Sequence, residues 1–181
     1  MPEGNNTLVQ LVGLYINDWR CHLCIRLTGF AMPLEDAVKF AGAGKEYDGV
    51  SHICHLRCLK TKAVEKGRNK LLKKIDVLHQ CRTFAEIFDI VNQVEGDTDG
   101  LGPMYVYDVA LRIGASKLLF PDRVYLQRGA REGARNLGLA YTSQTIALAD
   151  LPLELRRRLT AYEIEDFLCI FANPIKNLKT K

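Results

Sequence analysis

Apolar residues recur every three to four positions along almost the whole chain, and no stretch sustains the period-two alternation of a half-buried strand. That spacing lays one apolar stripe along each of a series of helices, so the predicted class is all-α, a compact multi-helix domain. Leu8, Leu11, Val12, Tyr15, Trp19, Leu23, Arg26 and Leu27 trace the first stripe, which stops near Gly29. Pro33 followed by Leu34, Glu35 and Asp36 predicts a helix start, with acids at the positive end of the dipole. A long helix is predicted from about Leu56 to Leu78, its lysines outward and Gly67 weakening its middle. Thr83-Phe-Ala-Glu86 and Thr160-Ala-Tyr-Glu163 are capping-box sequences that open two further helices. Met104–Ala115 forms another, and Pro121 opens a helical segment running through Ala134. Gly138–Asp150 is expected as loop with room for a short extended piece, and Asn173-Pro174 as the stop of the last helix.

With 181 residues, 48% of them hydrophobic and 25% charged, the chain can bury a core, which excludes disorder and fibrous repeats. One domain is expected over 1–181: N-terminal helices to residue 50, a core over 51–175, and a basic tail at 176–181. The longest uncharged apolar stretch, Leu8–Asn17, is far short of the ~20 residues of a membrane span. It lacks the basic flank and cleavage site of a signal peptide, so no membrane partner and a cytoplasmic location are expected. There the six cysteines would be thiols. Net charge is only +4, but Arg57, Lys60, Lys62, Lys66, Arg68, Lys70, Lys73 and Lys74 lie in the stretch from His55 to Asp76 against Glu65 and Asp76. Such a cluster attracts polyanions, or else it is a solvated helix face.

The passage Ala85–Val94, Glu95–Pro103, Met104–Ala115 places Gly100-Leu101-Gly102 between two amphipathic helices. Glycines allow a tight turn and close backbone approach, and the free amides of the second helix start would face an anion. This resembles the helix-hairpin-helix DNA-binding motif. The resemblance implies that Leu101 plugs the gap between the helices while amides at Gly100, Gly102 and Met104 hold a phosphate. The bland reading is a tight packing turn, and Asp97 and Asp99 beside it would repel DNA.

DNA glycosylases built on this hairpin carry a catalytic Asp eighteen residues after a position where some members have a nucleophilic Lys. Here those positions are Met104 and Asp122, and the similarity spans about Phe84 to Leu137. Met104 cannot form a Schiff base, so the resemblance implies at most a monofunctional glycosylase in which the catalytic Asp122 positions water or stabilises an oxocarbenium ion. A second similarity, carried by Tyr107–Gly114, Val124–Leu126 and Ile164–Ile170, is to a group of bacterial proteins with no assigned activity. It draws attention to Asp108 and Arg112, four apart on one helical face and able to pair.

Cys21-His22-Leu-Cys24 and His52-Ile-Cys54-His55-x2-Cys58 have something of the arithmetic of a zinc site, against helical spacing in the second group and an apolar helix around the first. No metal and no cofactor are expected, since no P-loop, dinucleotide turn or nucleophile elbow exists. The leading reading is a DNA-binding protein that contacts phosphates. Gly100, Leu101, Gly102 and Met104 form the hairpin site, and Lys66, Arg68, Lys70, Lys73 and Lys74 with Arg128, Arg131 and Arg135 supply the basic surface. The alternatives are a glycosylase using Asp122, and a structural or interaction protein without a nucleic-acid role.

Overall fold

In a computed structural model of the chain, residues 7–141 and 144–178 are described. Their order is α1 (Leu8–Leu14), a π-helical segment (Tyr15–Trp19), α2 (Arg20–Thr28), α3 (Leu34–Gly42), a 3₁₀ turn (Cys54–Leu56), α4 (Thr61–Leu72), α5 (Ile75–Gln80), α6 (Phe84–Gly96) and α7 (Pro103–Ser116). Then come β1 (Arg123–Tyr125), α8 (Arg128–Asn136), β2 (Thr145–Ala147), a 3₁₀ turn (Leu148–Asp150), α9 (Leu153–Arg156), α10 (Ala161–Ile170) and α11 (Ala172–Lys176). The protein is thus mostly helical, as its periodicity predicts. Two compact units divide it: residues 24–121, and residues up to Leu23 together with those from Asp122 onward.

In the unit formed by residues 24–121, α7 is buried on nearly all sides, from Tyr105 through Ala115. A helix with that burial profile is the centre of a core rather than a surface element. Both α6 and α3 pack on it, and α4 packs on α3 and α6. Thr83 and Glu86 close the predicted capping box at the start of α6. At its other end α7 stops in a left-handed residue, Leu118 at φ 56°, and Leu119 N–H returns 2.9 Å to the Gly114 carbonyl.

The long helix expected over 56–78 is three pieces instead. Ile53 N–H donates to the Gly44 carbonyl at 2.9 Å, tying the 3₁₀ turn to the end of α3, and Lys60 takes extended backbone before α4 starts. Another turn at Lys73 and Lys74 lets both Leu71 and Leu78 reach full burial. A local apolar period cannot register such long-range ties.

In the other unit, Leu11, Val12, Tyr15, Val124, Leu126, Ile164 and Phe167 belong to one core. Tyr15 meets Phe167 edge-on at 5.9 Å and donates from its hydroxyl to Asp166 at 3.0 Å. Gly129 and Gly133 let α8 lie against α10, where a Cβ on Gly133 would collide with the Leu168 carbonyl. Here the expected helical segment from Pro121 is corrected: β1 pairs antiparallel with β2, Val124 opposite Ile146, before α8 begins. The loop expected at 138–150 does carry its short extended piece, β2. Pro174 does not end the helical stretch, since α11 runs through it after a break at Phe171. The second capping box, at Thr160 and Glu163, forms as predicted. A third capping box, Thr7 with Gln10, opens α1.

Candidate functional site

Around the Gly100 turn the backbone and α4 meet closely. Gly100 has φ 90°, a conformation that favours glycine, and a Cβ added there would stand 3.4 Å from the Ala63 Cβ. Gly67 of α4 lies directly under the turn: a Cβ on it would come within 2.8 Å of the Tyr105 hydroxyl and 2.9 Å of Leu101 Cδ1. Tyr105 in turn donates to the Gly42 carbonyl at 2.9 Å, and its burial pushes the phenol far above its ordinary range. Gly67, read from sequence as a weak point, is therefore the small residue that lets α4, the loop and α7 meet. Leu101 packs into that junction.

Two consequences follow for charge. Lys70, one turn beyond Lys66 on α4, donates to the Asp97 carbonyl at the end of α6, so its ammonium sits at the loop. The N–H groups of Gly102, Met104 and Tyr105 meet no acceptor among the described residues. Asp97 and Asp99 are exposed beside them. Gly102, by contrast with Gly100, is in extended backbone with nothing within 4 Å of an added Cβ. The tightest point of the turn is Gly100.

The remaining predicted residues are distributed as follows. Lys66 and Lys73 are exposed, Lys74 is half-buried, and the Arg68 stem lies against Gly42, its guanidinium donating to Asn69 Oδ1. Arg128 and Arg135 are exposed and Arg131 is half-buried on α8, which belongs to the other unit. Asp122 also belongs there. It is no first-turn helix residue, for it precedes β1 with its side chain 81% exposed and paired with Arg123 at 3.4 Å. None of the six cysteines is in a disulfide. Cys21, expected inside an apolar helix face, is exposed, as are Cys54 and Cys58. No group of three or more His, Cys, Asp or Glu side chains that could hold a metal ion occurs among the described residues. No described helix is long and apolar enough to cross a membrane.

A polar cluster forms on the face of α7 one turn further along. Asp108 and Arg112 pair at 3.3 Å, as their spacing predicts. Arg112 also takes both oxygens of Glu46, at 2.9 and 3.2 Å, and lies 5.9 Å from the centre of the Phe30 ring. The second Asp108 oxygen faces His55 Nδ1 at 3.4 Å. That hydrogen bond raises the His55 pKa above its ordinary value, against partial burial and the nearby charges of Arg112 and Arg26. Glu46 and His55 were not singled out from sequence as its partners, because both reach α7 only through tertiary packing of the segment after α3. No family model, curated protein or solved structure matches this chain.

Proposed function

We propose that the protein binds DNA through its phosphate backbone, using the turn before α7 and the lysine face of α4. The observation that carries this reading is the coincidence of two positive features at one turn. Unbonded amides open α7, and Lys70 is drawn to the same loop because Gly67 lets α4 approach. A phosphate oxygen would find N–H donors, the positive end of a 14-residue helix and an ammonium within one small surface. Such contacts position a strand without reading its bases, so weak sequence preference and steep salt dependence are expected.

Gly102→Glu is a clean test because the added side chain meets open space. The variant keeps its fold by circular dichroism and places a carboxylate at the amide cluster. Fluorescence anisotropy with a labelled duplex at low salt should show affinity lowered by roughly 1–3 kcal/mol, the scale of charge-assisted hydrogen bonds. Lys66→Glu with Lys70→Glu should weaken binding further and flatten its salt slope. Equal affinity of folded Gly102→Glu and parent, or a parent affinity indifferent to salt, overturns the reading.

A further inference from the structure

The cluster on α7 is arranged around a charge imbalance. Glu46 and Asp108 bring two carboxylates and Arg112 one guanidinium; the Arg112 and Glu46 side chains are only 5% and 10% exposed. Within this hydrogen-bonded group two carboxylates share one guanidinium, and a proton on the His55 ring places a second cation directly on Asp108. Asp108, itself fixed by Arg112, thus holds one histidine whose side chain is 51% exposed. With Nδ1 turned to Asp108, Nε2 on the opposite edge of the ring has no partner among the described residues. The other groups around it are Arg26 on α2, Arg112 on α7, and Cys54, Arg57 and Cys58 on its own turn, with Cys58 bonded to the His55 carbonyl at 3.5 Å. Asp108 is the carboxylate that faces the ring, and Glu46 stands behind Arg112.

Place matters as much as charge. Asp108 follows Met104 by four residues, so it lies on the same face of α7, about 6 Å along the axis from the amide cluster. Because His55 is bonded to Asp108, the ring and the amide cluster lie along one face of α7. We infer that His55 is a second phosphate ligand, so that one strand is held at two of its phosphates, by the α7 amides and by the His55 imidazolium. This rests on the DNA-binding reading and extends it: the ligand is a continuous strand rather than an isolated phosphate group, and binding takes up a proton. The basic residues on the same turn, Arg57 and then Lys60 at the start of α4, continue the positive surface.

The protonated ring donates from Nε2 to phosphate and from Nδ1 to Asp108, whereas the neutral ring offers no positive charge to the strand at this point. Anisotropy titrations of the full chain with a labelled duplex at pH 6 and pH 8.5 test this. Affinity of the parent should fall about tenfold at the higher pH, the scale of one charge-assisted contact. His55→Gln should match the parent's weaker value at both pH values and lose about one unit of salt slope at pH 6. His52→Gln, altering an exposed neighbour that faces Lys45, should keep the parent's pH dependence. As a measurement free of substitutions, the His55 ring titration followed by NMR should move to higher pH on adding duplex. Salt-sensitive binding with no pH dependence, or His55→Gln retaining it, overturns this inference and leaves the hairpin reading standing. Absence of binding at either pH overturns both.

Discussion

Arg112 closes on both carboxylate oxygens of Glu46, sixty-six residues earlier in the chain, and neither side chain has appreciable access to water. A pair of this kind gains little over apolar groups of the same shape, but a surviving single partner is a buried uncompensated charge. Glu46→Gln and Arg112→Met should therefore each cost about 3–5 kcal/mol in urea unfolding, with Arg112→Met also stranding Asp108. Glu46→Leu combined with Arg112→Met should recover a large part of that loss. A double variant as unstable as the sum of the single ones would show that the two side chains are not energetically coupled.

Gly67→Ala should destabilise despite alanine's better helix propensity. The new methyl would stand 2.8 Å from the Tyr105 hydroxyl and 2.9 Å from Leu101, so the α4–α7 junction must shift. Overpacking costs about 1–3 kcal/mol against a propensity gain of at most about 1. Gly13→Ala in α1, with open space around the added carbon, should instead stabilise by about 0.5–1 kcal/mol. Thermal melts of the two variants should move in opposite directions.

Leu118 occupies a left-handed conformation at φ 56° while its side chain is 78% exposed. An L-residue there costs about 1–2 kcal/mol and this one recovers little by burial. Leu118→Gly should raise stability by about 1 kcal/mol, less whatever freedom glycine adds to the unfolded chain. Chemical denaturation decides it, and a lower midpoint would mean that the exposed leucine makes a contribution its exposure hides.

Glu163 is pushed toward a higher pKa by burial, but the bonds from Arg20 at 2.6 Å and from the Thr160 amide and hydroxyl outweigh this and hold it below its ordinary value. A depressed carboxylate stabilises the fold above its unfolded pKa, near 4.3, and that stability is lost as pH falls through the lower folded value. Unfolding free energy should thus decline between about pH 5 and pH 2, and Glu163→Gln should make that decline shallower. Thr160→Ala should cost about 1 kcal/mol at neutral pH through the same capping box. An unchanged acid slope in Glu163→Gln would remove this carboxylate from the acid transition.

Much of the helical layout is legible locally, because a helix is specified by neighbours three and four residues apart. The apolar stripe of residues 8–27, the Pro33 start and the boxes at Thr83 and Thr160 all sit in the folded chain where their spacing puts them. The Asp108–Arg112 pair is legible for the same reason. Residues 123–125 are not, since Val124 becomes strand only by pairing with Ile146, across an intervening helix. Nor is the break-up of the stretch 56–78, which follows from the Ile53–Gly44 tie and the burial of Leu71 and Leu78.

By itself, then, the sequence determined that the chain is mostly helical, where several helices begin, and that positive charge gathers between residues 57 and 74, all properties of residues near one another in the chain. Only the tertiary structure decided that Gly67 brings Lys70 to the loop before α7, that Glu46 and His55 complete the Asp108–Arg112 cluster, and that Asp122 and the α8 arginines belong to a different compact unit from the hairpin. Those relationships join residues tens of positions apart. They depend on close packing around small residues and on balancing charge out of water, and neither has a local period from which it could be read.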